Sequence, residues 1–282
     1  MSSLAALASA LFIGSADFFG GWASRKASNL PVTMWLNIVA FTVMAIACAI
    51  VQPRLSLGHA IGALAGGCVS AVSINLIYAA FSAGAMSLTA PLIACGSAIV
   101  PTVAATVAGQ PPDSIQSVGI AVTLVGVVAI TWMPRASPAH LILSRRALGL
   151  TVLASFAAGA ALAIMLLSAK GSTSAVVGVS ALSRLTSSST CFLFVVISRG
   201  RVKLPRSLAP VVVGTGLLEA AGATLFLLAS SLGNTAVVAV LVSLFSIVTV
   251  LLAQVFLRER IATRQGWGIA VAAAGVALLS AG

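Results

Sequence analysis

The sequence predicts an all-α membrane protein with ten transmembrane helices arranged as two inverted five-helix repeats. Three observations lead there. The chain is 60% hydrophobic and only 7% charged over 282 residues, whereas soluble domains carry about 25% charged residues. Ten apolar runs occur, each close to the ~20 residues that cross a bilayer. A common register also links the later part of each half at an offset of 149 residues. The composition excludes a soluble enzyme and a disordered chain.

The runs cover 4–23, 32–51, 60–83, 86–108, 115–133, 147–169, 174–197, 208–231, 234–257 and 264–281. They are continuously apolar, without the alternation of barrel strands, so helices are expected. The first run contains Ala8-Ser9-Ala10, which resembles a cleavage site. No basic segment precedes it and Asp17 lies within it, so it reads as a retained helix. The second run opens near Trp35, and the fourth holds Pro91 and Pro101, each of which removes a backbone donor. Those prolines predict a kink or hinge without a counterpart, because Val240 and Val250 stand at the matching places. Between runs lie Gln52-Pro53-Arg54, Gly109-Gln110-Pro111-Pro112-Asp113, Met133-Pro134-Arg135 and Arg199-Gly200-Arg201, all of turn character.

The offset of 149 sets Ser82-Ala83-Gly84 on Ser231-Leu232-Gly233 and Gly119-Ile120-Ala121-Val122 on Gly268-Ile269-Ala270-Val271. It also sets Gly126-Val127 on Gly275-Val276, Ser97 on Ser246 and Gln110 on Glu259. The expected domains are a first repeat at 1–133, a connecting loop at 134–146 and a second repeat at 147–282. Five helices per repeat make the second enter the membrane from the opposite face. Secondary transporters of this plan hold substrate near the midplane between the repeats.

The net charge of +11 does not point to nucleic acid. Twelve of the fifteen basic residues lie in loops on one expected face, and only Arg54 and Lys170 lie on the other. The positive-inside rule then places both termini outside. Trp35, Trp132 and Trp267 sit near helix ends and suit interfacial anchoring. Cys48, Cys68, Cys95 and Cys191 lie inside apolar runs, none in a C-x-x-C pair, and read as packing residues. No metal and no cofactor is expected.

Three ionisable residues fall inside apolar runs: Asp17, Arg184 and Glu219. A charge at mid-bilayer costs about 2.5–3.5 kcal/mol on insertion scales, which makes each a functional candidate. Asp17 shares a helical stripe with Gly14 and Gly21, and Glu219 shares one with Gly216, Gly222 and Ala223. Arg184 shares one with Ser180, Ala181, Ser187 and Ser188. Small residues let a second helix approach, so these stripes are expected to face protein. Arg184 can pair with Glu219 or with Asp17, and either choice leaves one carboxylate without a cation, as a site for proton exchange. Asn75, Tyr78 and Ser82 form a further polar stripe, to which Asn37 can add. Plain interhelical hydrogen bonding is the competing reading of Asn75 and Asn37. Glu259, flanked by Arg258 and Arg260, is expected to make a local charge pair.

The stretch Leu257-Arg258-Glu259-Arg260, Gln265-Gly266-Trp267-Gly268 and Gly275-Val276, together with Gly14-Ser15-Ala16-Asp17-Phe18, resembles the EamA-domain transporters of the drug/metabolite transporter superfamily. Two departures are Gln110, where the first half of that family usually has Glu, and Ile13, where Trp is common before the glycine. The resemblance implies secondary transport of a small metabolite or drug-like compound. Many members have both termini cytoplasmic, in conflict with the charge count. The expected function is therefore an exporter working by alternating access, with H+ as the candidate coupling ion and the lipid bilayer and a small molecule as partners. Arg outnumbers Lys, a bias that suggests the cytoplasmic membrane of a bacterium. A non-transporting receptor, chaperone or channel with a structural ion pair is the alternative. An enzyme is not expected: there is no H-E-x-x-H, G-x-S-x-G or phosphate-binding loop, and His59 and His140 lie in loops.

Overall fold

A computed structural model describes residues 2–107, 113–131, 144–168, 173–198, 203–232, 242, 244–259 and 263–281. Ten α-helices occur among them and no strand does. They are α1 (Ser2–Lys26), α2 (Asn29–Val51), α3 (Leu57–Ala83), α4 (Met86–Val107), α5 (Ser114–Thr131), α6 (Arg145–Ser168), α7 (Thr173–Ile197), α8 (Ala209–Leu232), α9 (Phe245–Leu257) and α10 (Thr263–Ala281). A single 3-10 turn, Arg206–Leu208, leads into α8. Gln110, Trp132, Lys170 and the segment 132–143 lie outside the described residues.

Six helices (α1, α2, α3, α6, α7 and α8) are long and apolar enough to cross a membrane, and shorter apolar stretches occur in α4, α5, α9 and α10. Around an apolar core, many large apolar side chains face outward and several polar ones face inward. Leu4, Ile50, Leu57, Val125, Phe156, Phe192, Val196 and Phe256 are exposed, while Thr33, Asn37, Ser73, Ser180, Arg184 and Thr249 are buried. In hydrocarbon the apolar side chains are already solvated, so the interior is where polar groups find partners. Trp267 is exposed and Trp35 partly so.

Local signals explain several helix ends. Ser56 accepts from the backbone N–H of His59 while the Ser56 N–H donates to His59 Nδ1, a reciprocal cap that starts α3 at Leu57. Pro31 is tolerated in the first turn of α2, where its missing N–H has no helical partner to lose, so the helix begins at Asn29. Gln52 (φ 48°) and Arg258 (φ 55°) end α2 and α9 in the left-handed region. The α4 assignment runs through both Pro91 and Pro101 without interruption.

The helices of the first five pack mainly against those of the last five. The principal pairs are α5 with α10, α3 with α6, α1 with α8, α2 with α7, α4 with α6, α3 with α7, α2 with α8 and α1 with α9. Replacing each helix by the one five places away returns the same set of pairs. The close crossings follow the same exchange. On α1, Gly14 faces the Phe245 carbonyl and Val248 Cβ of α9; on α6, Gly159 faces the Ser97 carbonyl and Val100 Cβ of α4. On α3, Gly67 faces the Ser183 carbonyl and Thr186 Cβ of α7; on α8, Gly216 faces the Leu36 carbonyl and Val39 Cβ of α2. Gly126 of α5 meets Ala272 of α10, and Gly275 of α10 meets Thr123 of α5. A Cβ at any of these glycines would collide with the facing backbone, so glycine sets the approach distance.

Candidate functional site

The three intramembrane charges meet. Arg184 of α7 donates from Nη2 to Glu219 Oε1 of α8 at 2.9 Å. Its Nη1 lies 3.4 Å from Asn37 Oδ1 on α2. Asn37 is fully buried and is itself oriented by its Nδ2, which donates to the Thr33 carbonyl at 2.8 Å. Of the two possible partners for Arg184, the structure selects Glu219. The selection follows from packing: the Gly67 and Gly216 crossings draw α7 and α8 against α3 and α2, and α7 touches α8 directly.

Asp17 is the carboxylate left over. It is buried at 9% exposure and within Coulombic reach of Glu219. Among the described residues it makes no ion pair or hydrogen bond. A buried carboxylate is costly without a compensating partner. The Arg184 guanidinium offsets only one of the two acids, so the cluster with both acids ionised carries one net negative charge.

Tyr78 of α3 completes the group. Its hydroxyl end lies against Gly20 of α1, one turn from Asp17, and any side chain at residue 20 would overlap its ring. The phenol is within Coulombic reach of Asp17, Glu219 and Arg184. Gly20 is one residue that sequence reading did not single out. Its signal was available, because Asp17, Gly20 and Gly21 lie at i, i+3 and i+4, on the face that turns inward.

Asn75 sits apart from the charges, toward α7. Its Nδ2 donates to the Ala71 carbonyl and lies 3.3 Å from Cys191 Sγ, while its Oδ1 is buried without a partner. Ser180 and Ser187, which flank Arg184 on its stripe, also have buried, unpartnered hydroxyls. The polar lining thus extends along α7 to both sides of the Arg184–Glu219 pair. Ser82, expected on the Asn75–Tyr78 stripe, is exposed. A separate small cleft between α4, α9 and α10 is bordered by Pro91, Cys95, Ser246 and Ile269 and is lined by no Asp, Glu, His, Lys or Arg. Among the described residues no group of three or more His, Cys, Asp or Glu could hold a metal ion.

Among the described residues Glu259 makes no ion pair with Arg258, and Arg260 lies outside them. The left-handed Arg258 turns the chain at the end of α9, and Glu259 reaches residues far away in sequence. It bonds Arg25 of α1 at 3.1 Å and accepts from the Met86 N–H (3.3 Å), the Ser87 N–H (2.9 Å) and Ser87 Oγ (2.8 Å) at the start of α4. Helix N-termini carry unsatisfied N–H groups and favour an anion, which explains the partner.

Solved structures share this fold. One crystal structure superposes with a TM-score of 0.67 over 98% of this chain and 95% of its own, at 15% identity, a likeness of fold alone. No curated protein matches the chain. Residues 145–281 match the model of the EamA-like transporter family, a domain of the drug/metabolite transporter superfamily.

Proposed function

We propose that the protein is a secondary transporter working by alternating access, built from two inverted five-helix repeats (1–133 and 147–282, joined through 134–146), and that Asp17 is its ion-coupling carboxylate. The observation that carries this reading is the unequal charge pairing: Arg184 is engaged by Glu219, and Asp17 faces the same interior with no cation. A proton, or a cationic group on a substrate, neutralises that carboxylate, and exchange between the two couples their movements. The paired glycine crossings support the repeat. They join α1–α9 and α6–α4, α3–α7 and α8–α2, and α5–α10 with itself. Five helices per repeat is an odd number, which favours an axis in the membrane plane. Asp17, Glu219, Arg184 and Tyr78 form the pathway in this reading, with Asn37 orienting Arg184 and Asn75 extending the lining. Export of a small metabolite or drug-like compound across a bacterial cytoplasmic membrane is the direction, cargo and location that the family likeness and the composition favour.

The test is a flux assay in proteoliposomes that enclose a pH-sensitive dye under an imposed pH gradient. A panel of small amines, amino acids and drug-like compounds is added outside. At least one compound should dissipate the gradient, and Asp17→Asn should lower that coupled flux tenfold or more, on the order of the loss of one essential charge interaction. Equal flux and equal pH dependence in Asp17→Asn and Glu219→Gln would refute the assignment. A second reading rests on the completed Arg184–Glu219 pair: a non-transporting membrane protein in which the charges only join helices. It requires that no compound moves the gradient and that Asp17→Asn changes nothing.

A further inference from the structure

The polar residues at the end of the bundle where α1, α3 and α9 terminate and α4 begins make a second network, distinct from the Asp17 site. Arg25 donates from Nε to the Phe81 carbonyl (2.9 Å) and from Nη2 to the Gly84 carbonyl (2.9 Å) and to Glu259 Oε1 (3.1 Å). Glu259 in turn holds the first two N–H groups of α4 and the Ser87 hydroxyl. One guanidinium and one carboxylate therefore tie together the last turn of α1, the α3–α4 turn, the start of α4 and the end of α9. Helices from both ends of the sequence are joined here by charge.

The position is that of a closure. Arg25 lies eight residues past Asp17 on the same helix, about 12 Å along its axis. Ser24, at i+7 from Asp17, falls on the same face as Asp17 and between it and this end. Ser24 is 5% exposed and its hydroxyl has no partner, so the path from Asp17 to this end is filled by packed protein. The network itself reaches solvent, with side-chain exposures of 27% for Arg25 and 10% for Glu259. A charge network at a wet rim can exchange protein partners for water, which a network at the midplane cannot. At the opposite end the residue aligned with Glu259 is Gln110, and Asp113 stands just before α5.

We propose that Arg25 and Glu259 form a gate latch that closes this end of the transporter over the Asp17 site and parts when the chamber opens there. The inference rests on the alternating-access reading and adds to it which end is charge-locked and by which residues. Arg25 and Glu259 act by positioning four helix ends and touch no substrate in this scheme.

The experiment needs no substrate. Cys48, Cys68, Cys95 and Cys191 are replaced by alanine in the full chain, and a single reporter cysteine is placed at Ser24 or, on the far side of the charged cluster, at Ser180. Ser180 is buried, with an unpartnered hydroxyl, in the part of α7 beyond Arg184. The probe is the rate of modification by a water-soluble maleimide in detergent. With the latch intact, the Ser24→Cys thiol should react slowly, and Arg25→Gln or Glu259→Gln should raise its rate roughly fivefold, the scale of losing one partly exposed ion pair. Arg25→Lys, which keeps the charge, should raise it less. Should a glutamine variant fail to fold, the latched protein itself gives the answer: its Ser24→Cys rate should rise with ionic strength, because salt screens a partly exposed pair. Rates indifferent to both the substitutions and salt would overturn the latch. The Ser180→Cys reporter separates the two ideas. A rise at Ser24 with a fall at Ser180 supports latch and carrier together, while a rise at Ser24 with no change at Ser180 supports the latch and counts against alternating access.

Discussion

The first five helices and the last five make matching pairwise crossings and differ in chemistry. Gly14 and Gly159, Gly67 and Gly216, and Gly126 and Gly275 occupy equivalent crossings. Even a minor polar contact repeats: Asn75 Nδ2 meets Cys191 Sγ at 3.3 Å, and Thr224 Oγ1 meets Met44 Sδ at 3.2 Å, across the same exchange of helices. The ionisable residues do not repeat. The α2–α7 contact sets Asn37 opposite Arg184, an amide against a guanidinium. Helix α8 brings Glu219 and α1 brings Asp17, while the partner positions of α3 and α6 bring no acid. Backbone approach is set by a glycine at each of these crossings. Charge is set by single residues, which differ between helices whose crossings match.

The largest effect should come from breaking the asymmetric part. Arg184→Ala leaves Glu219 buried without its cation beside the already unpaired Asp17, a loss of about 3–5 kcal/mol for a buried pair with one member removed. Folded yield and melting temperature in detergent should fall steeply. Arg184→Ala combined with Glu219→Ala should recover much of the loss, because no uncompensated charge is created by the pair of changes. Normal yield and melting of the single variant would remove the idea that this pair supports the fold.

The next effect should come from the symmetric part. Gly14→Ala and Gly159→Ala each place a Cβ against a facing carbonyl oxygen and a Val Cβ. Overpacking of this kind costs about 1–3 kcal/mol. The two variants should lower the melting temperature by similar amounts. A loss confined to one of them would show that the two crossings are not energetically equivalent, and the shared scaffold would then be a likeness of shape alone.

Legibility in the sequence divides along the same line. Asp17, Arg184 and Glu219 stood out because charge is rare in apolar runs, and their small-residue stripes gave their direction. The equivalence of α5 with α10 could be read from Gly126 and Gly275 at one offset, since those segments keep identical local sequences. The equivalence of Gly14 with Gly159 could not, because connections of unequal length shift the register of the early helices and leave only isolated glycines to align. Which acid Arg184 takes was also out of reach. Both lie at suitable depth, and the choice depends on which helices cross at Gly67 and Gly216. The distant partners of Glu259 were hidden for a related reason: its neighbours Arg258 and Arg260 offer local ones, and only the left-handed turn at Arg258 brings it to Arg25 and to the start of α4.

The smallest effect is the most discriminating. Asn75 and Thr224 make equivalent sulfur contacts from α3 to α7 and from α8 to α2. Interhelical polar contacts in membranes are worth about 0.6 kcal/mol, so Asn75→Ala and Thr224→Ala should each shift the melting temperature slightly and alike. Transport should separate them. Asn75 keeps a buried, unpartnered Oδ1, and it shares α3 with Tyr78, whose phenol lies within reach of Asp17. Thr224 Oγ1 donates to the Ala220 carbonyl and is not among the buried polar atoms left without a partner. If the polar lining serves a substrate, coupled flux should fall several-fold in Asn75→Ala and stay near the parent value in Thr224→Ala. Equal flux in both, at equal stability, would assign Asn75 to the scaffold and leave the charged cluster as the whole of the asymmetry.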